Sequence, residues 1–267
     1  MRAAVVATGV LLVLAAGCGQ EDAGSTTPAA ATSDLPQGDD PVEMDPADFT
    51  DDIDNRYWPM QPGTRWTYRE VDEEGEELEV VVTATSATRQ IANGITARVV
   101  RDTVTQDGEV IEDTFDWYAQ DSEGTVWYMG VDTAEFEDGK VKTREGSFEA
   151  GVDGAMAGVI MPGNPEVGMA YRQEYYEDEA EDNGAVLSLD EMADVPAGHF
   201  DDALLTKDTI TIEPDVLEYK LYAPGVGPVL VLGVSGGGGR EELVEVSEVS
   251  AETADAAGST ALGEPYD

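Results

Sequence analysis

The side chains that could do chemistry in this chain are few and scattered. Gly233-Val-Ser235-Gly-Gly237 has the GxSxG spacing of a serine hydrolase and follows the apolar run 229–232. A nucleophile there needs a helix after the serine and, in that fold, a histidine later in the chain. Instead the glycine run continues through Gly239, Val244, Val246 and Val249 read as strand, and the single histidine, His199, precedes the serine. The motif reads as a flexible hairpin loop. His199 could by type be a general base or metal ligand, but it stands alone at the start of a strand and reads as structural. One histidine and one cysteine cannot supply the three or four nitrogen and sulfur ligands of an ordinary zinc site.

Carboxylates are abundant instead. There are 57 acidic against 14 basic residues, a formal net charge of −43. Asp51-Asp-Ile-Asp54 and Glu177-Asp-Glu-Ala-Glu-Asp182 are dense in oxygen ligands, yet neither has the Asp-x-Asp-x-Asp-Gly loop of an EF-hand. They read as solvated loops, with oxygen-ligated calcium left open. Glu112 and Asp116 share one face of a strand, and paired carboxylates are what a glycosidase needs. With this many acids such pairs are inevitable. Gly225-Val-Gly227 lacks the strand-to-helix context that lets backbone amides hold phosphate, so it reads as a turn. Trp66, Trp117 and Trp127 are candidates to line a ligand groove, against the commoner role of large aromatics as core.

The only cysteine, Cys18, ends the run Val10-Leu-Leu-Val-Leu-Ala-Ala-Gly17. Residues 1–17 carry one cation, Arg2, and an apolar segment too short to span a bilayer, which is signal-peptide anatomy. The pattern looks like a lipobox, with cleavage after Gly17 and acylation of Cys18. Two or more acyl chains anchor stably where one does not. The expected location is therefore the extracytoplasmic face of the cell membrane, with the membrane as partner through the lipid. The acidic balance repels nucleic acid and anionic head groups, since no basic patch exists to release their counterions. It reads as solubility of an exported domain, with cation binding or adaptation to high salt as the functional alternative.

Composition divides the remainder. Residues 18–50 are rich in Gly, Ser, Thr, Pro, Ala and Asp without apolar periodicity, and are expected to form a disordered tether with an end-to-end distance of roughly 30 Å. Residues 250–267 are expected to form a disordered tail, leaving 51–249 as a β-rich domain. Within it, Ala92-Asn-Gly94, Gln106-Asp-Gly108 and Glu137-Asp-Gly139 are hairpin signals between runs rich in Val, Thr, Tyr and Trp. Ile111, Phe115, Trp117 and Ala119 alternate with Glu112, Thr114 and Asp116, which predicts a half-buried antiparallel strand with the first set turned inward. Residues 126–129 and 229–232 are apolar throughout and should be covered on both faces.

The chain also repeats itself. Gly63-Thr-Arg-Trp66 aligns with Gly168-Met-Ala-Tyr171, Gly94 with Gly198, Arg101-Asp-Thr-Val-Thr105 with Lys207-Asp-Thr-Ile-Thr211, Trp117-Tyr-Ala119 with Leu221-Tyr-Ala223, and Gly124–Gly130 with Gly227–Gly233. Parity is kept as well, Thr114 and Asp116 matching Glu218 and Lys220. The expected fold is mainly β: two tandem antiparallel meanders of about five strands, over 63–130 and 168–233, forming a curved sheet, half-barrel or barrel-like sandwich.

Pro62-Gly-Thr-Arg-Trp-Thr-Tyr68 and Tyr222-Ala-Pro-Gly-Val-Gly227 resemble segments of uncharacterised bacterial lipoproteins and secreted β-rich domains. That resemblance brings no catalytic residues with it. Some exported β-rich lipoproteins carry apolar ligands in half-barrels, an analogy at the level of fold alone. The expected function is a non-catalytic binding or accessory module, with an apolar small molecule or an envelope protein as partner. A carboxylate-based or calcium-dependent hydrolase and a structural or adhesive surface protein are the alternatives.

Overall fold

The computed structural model describes residues 35–266 except 73 and 238. The signal segment and Cys18 lie outside the described residues. The chain forms β1 (Phe49–Thr50), β2 (Thr64–Val71), β3 (Glu77–Gln90), β4 (Thr96–Gln106), β5 (Glu109–Asp121), β6 (Val126–Glu137), β7 (Lys140–Thr143), β8 (Phe148–Glu149) and β9 (Met156–Met161). It continues as β10 (Ala170–Arg172), β11 (Glu174–Tyr175), β12 (Asp182–Val195), β13 (Gly198–Ile210), β14 (Leu217–Ala223), β15 (Gly227–Ser235), β16 (Arg240–Glu248) and the helix α1 (Ala251–Ser259).

The two repeats are two five-strand meanders of one antiparallel sheet. β2 to β6 form the first and β10, β12, β13, β14 and β15 the second, with β16 joining β15 to β2. Register matches as well as order. Trp66 is opposite Val82, Val82 opposite Asp102 and Asp102 opposite Thr114; in the second copy Tyr171 is opposite Gly184, Gly184 opposite Asp208 and Asp208 opposite Glu218. The expected Asp-Gly turns form too: Asp107 and Gly108 have φ of 52° and 82°, and Asp138 and Gly139 52° and 69°, the left-handed pair whose twist suits a two-residue hairpin.

The sheet curls until its ends nearly meet. The short stretch from β10 to β11 pairs with β12 on one side and, after Gln173, with β9 on the other. Gly158 permits that approach, since a Cβ there would lie 2.3 Å from the Gln173 carbonyl. The result is a mainly β, barrel-like sheet, as the repeat and alternation predict.

Three expectations need correction. The first is which face of β5 is inward. Ile111, Phe115 and Trp117 look outward, the Trp117 ring lying 3.9 Å under the Arg89 guanidinium, while Glu112 and Asp116 border the interior. The second is the tail. Ser250 caps α1 by accepting from the Thr253 amide at 3.1 Å, and α1 buries Ala254 and Ala257 on the outer face of β3 and β4. Its carbonyl end rests on Arg101, a fully buried guanidinium paired with Asp113 and donating to the carbonyls of Ala257, Thr260, Ala261 and Glu264. A helix whose buried face is alanine has no apolar stripe to read in sequence. The third is the tether, whose described part, 35–50, packs on the barrel seam. Arg172 there donates to the carbonyls of Gly38 at 2.7 Å and Asp40 at 2.6 Å, and the Phe49 ring meets Trp127 edge-on.

Candidate functional site: the barrel interior

The segments Pro62–Tyr68 and Tyr222–Gly227 meet at one end of the barrel. The Trp66 indole donates to the Val226 carbonyl at 2.7 Å, and the Tyr68 hydroxyl to the Pro228 carbonyl at 3.0 Å. Trp58, from the loop before β2, stacks at a tilt on Tyr118 and Tyr222, ring centroids 5.7 and 5.6 Å away. Together these aromatic rings and the turn 223–227 form a floor. Above it is a cavity of about 440 Å³, within the range of small-molecule sites. Its walls carry Val80, Val82, Val100 and Val104, and the hairpin loops β2–β3 and β15–β16 edge its other end. Alternation along each strand sends the even-numbered residues of β2 to β5 inward, which is why valines and carboxylates share this wall.

Among the described residues lining the interior, carboxylates outnumber cations. Glu70, Asp102, Glu112, Asp116, Glu218 and Glu241 border the cavity, against Lys220 and, at the edge, Arg240. Arg240 pairs with Glu242 at 2.7 Å. Lys220 Nζ lies 3.0 Å from Asp208 and 3.4 Å from Glu218. Burial works against its charge, but these two carboxylates outweigh burial and hold its pKa well above the ordinary lysine value. Asp116 is pushed up to about 6 by burial, although the Tyr128 hydroxyl donates to it at 2.5 Å. Burial, with the Asp116, Glu241 and Glu112 carboxylates adding to it, drives Asp102 well above the usual carboxylate range. Asp102 Oδ1, like Asp208 Oδ1, is buried with no hydrogen-bond partner among the described residues.

Of the three tryptophans singled out from sequence, only Trp66 borders the cavity. Trp117 packs outside, and the Trp127 indole donates to Asp121 at 2.8 Å. Ser235 sits at the end of β15 and donates to the Asp215 carbonyl at 2.7 Å, with no histidine near it in the lining. His199 is half exposed on β13 between Asp194, 2.8 Å away, and Asp201, 3.2 Å away, whose hydrogen bonds raise its pKa. In the first acidic run, Asp51 pairs with Arg98, Asp52 accepts from Gln61 at 3.1 Å and Asp54 from Gln120 at 2.7 Å. Among the described residues no three His, Cys, Asp or Glu side chains are grouped to hold a metal ion.

Sequence reasoning passed over Asp102 and Trp58. Its own repeat alignment carried the signal for the first, by setting Asp102 against Asp208.

No protein-family model matches the chain, and no curated protein matches it in sequence. Among solved structures it is similar to one described as a "putative lipoprotein" from Parabacteroides distasonis ATCC 8503, at 11% identity and a TM-score of 0.39, covering 72% of this chain and 99% of that one. No helix among the described residues is long and apolar enough to cross a membrane.

Proposed function

We propose that this chain is a lipid-anchored, extracytoplasmic binding module that takes a small molecule into the interior of its barrel. The lipid is carried by Cys18 after removal of residues 1–17, and residues ahead of the barrel act as the spacer. The observation that carries the binding reading is the 440 Å³ cavity, floored by aromatic rings and edged by hairpin loops. A neutral fluorescent probe such as N-phenyl-1-naphthylamine is expected to brighten on binding the full chain, and to respond more weakly in Val82→Phe, whose ring projects into the cavity. Equal response in a folded Val82→Phe protein overturns the reading. Replacement of Cys18 by serine is expected to release the protein from membranes; persistent membrane association would remove the anchor.

A second reading rests on Asp102 and Asp116, two carboxyl groups facing one cavity, as a carboxylate-based hydrolase requires. Acid and base roles need environments that push two pKa values apart. Here burial drives both upward.

A further inference from the structure

The two meanders treat one buried carboxylate in two different ways. In the second, Asp208 faces Lys220, one strand over and diagonal in register, and the ammonium sits 3.0 Å from its carboxylate. In the first, Asp102 occupies the position of Asp208, and the position of Lys220 is held by Asp116. The diagonal is the same, because Asp102 is opposite Thr114 as Asp208 is opposite Glu218. Where one half of the molecule places an ammonium ion, the other places a second carboxyl group, and the 440 Å³ cavity is bordered by both acids. Among the described residues Asp102 Oδ1 and Asp208 Oδ1 are both buried without a hydrogen-bond partner, and the difference is the ammonium on the other oxygen of Asp208.

Resting on the binding reading above, we propose that the ligand is an organic primary ammonium ion whose charged head sits at Asp102 and Asp116, standing in for the lysine that this half of the repeat lacks. Trp58, Trp66, Tyr68 and Tyr118 offer ring faces and apolar area to its body, and aromatic faces attract cations. An anionic ligand would meet the carboxylate of Glu112 as well, while Lys220 is already paired. Burial favours the neutral form of both carboxyl groups and a bound cation favours the ionised form, so binding shifts protons toward solvent.

The test is calorimetric titration of the full chain with three compounds of one shape: 3-phenylpropylamine, 3-phenylpropanol and 3-phenylpropanoate. The amine is expected to bind at least about tenfold tighter than the alcohol, the charge-assisted contact being the difference, with the carboxylate weakest. Its apparent enthalpy should vary with the ionisation enthalpy of the buffer. Asp102→Asn should weaken the amine about tenfold and leave the alcohol within about twofold. Asp116→Lys supplies the ammonium from within and should abolish amine binding. If the alcohol or carboxylate binds as tightly as the amine, the cation proposal falls while the cavity reading stands. If none of the three binds, the cation proposal falls, and the naphthylamine probe decides the cavity separately. Amine binding that survives in both folded variants also overturns it.

Discussion

Asp102 and Asp208 are equivalent residues of two repeated meanders, and among the described residues only Asp208 has a paired cation, Lys220, at 3.0 Å. The fold therefore contains its own comparison for an unpaired carboxyl group. Asp102→Asn removes the burden of ionising a buried acid and keeps its shape. We expect the variant to be more stable than the parent near neutral pH by about 1 kcal/mol or more, measured as an upward shift of the urea midpoint with unchanged slope. A downward shift would mean that Asp102 has a partner it depends on.

Stability should rise on mild acidification. The folded pKa of Asp116, about 6, exceeds its ordinary value, so its contribution is fully present below the ordinary carboxylate range and is lost as pH rises through about 6. Asp102 and Glu174, raised chiefly by burial, act in the same direction. Among the described residues the groups that face Asp116 are Tyr128 from β6, Glu112 and Tyr118 from its own strand, Asp102 from β4 and Glu174 from β11. Tm should be higher at pH 5 than at pH 8, with Asp116 alone contributing up to about 1.4 kcal/mol across that span. Asp116→Asn should flatten the dependence; an unchanged slope in that variant would refute the assignment.

Arg101 joins the sheet to the C-terminal segment. Its guanidinium pairs with buried Asp113 and takes four carbonyls between Ala257 and Glu264, while Tyr266 lies over it at 4.2 Å. Arg101→Ala leaves Asp113 buried without its cation, and we expect a loss of about 3–5 kcal/mol. Hydrogen exchange should show protection lost first over 251–266. Uniform loss across the sheet, with α1 still protected, would separate the helix from Arg101.

Gly158 sets the seam. A Cβ at this position falls 2.3 Å from the Gln173 carbonyl carbon and oxygen, both backbone atoms of the crossing segment. Gly158→Ala should push β9 from β11 and destabilise by about 1–3 kcal/mol, as overpacking does. Faster amide exchange at Glu174 and Tyr175 would report the seam directly.

Much of this architecture was legible from residue order. Asp-Gly turns demand left-handed backbone, and strand alternation survives any tertiary context because side chains on a strand must alternate. The repeat was readable for the same reason, since equal spacings impose equal registers. What alternation cannot tell is which face closes inward. Phe115 and Trp117 are larger and more apolar than Glu112 and Asp116, yet the barrel turns the acids in and covers the aromatics from outside, with Arg101 5.3 Å from the Phe115 ring and Arg89 over Trp117. α1 was likewise unreadable because it docks through alanines, and the 35–50 segment because its apolar contacts, Leu35, Val42, Met44 and Phe49, follow no regular period and its other anchors are backbone carbonyls.

Residue order by itself determined the class of fold, the two meanders, their hairpins and their mutual register, together with the expectation of a lipid on Cys18. Those features follow from local backbone preference and period-two patterning. Only the tertiary structure decided that the acids line a cavity, that Trp66 alone of the three candidates borders it, and that Asp102 faces Asp116 where Asp208 faces Lys220. Curling the sheet brings strands far apart in sequence around one space, and the electrostatic deficit of that space exists only once it is closed.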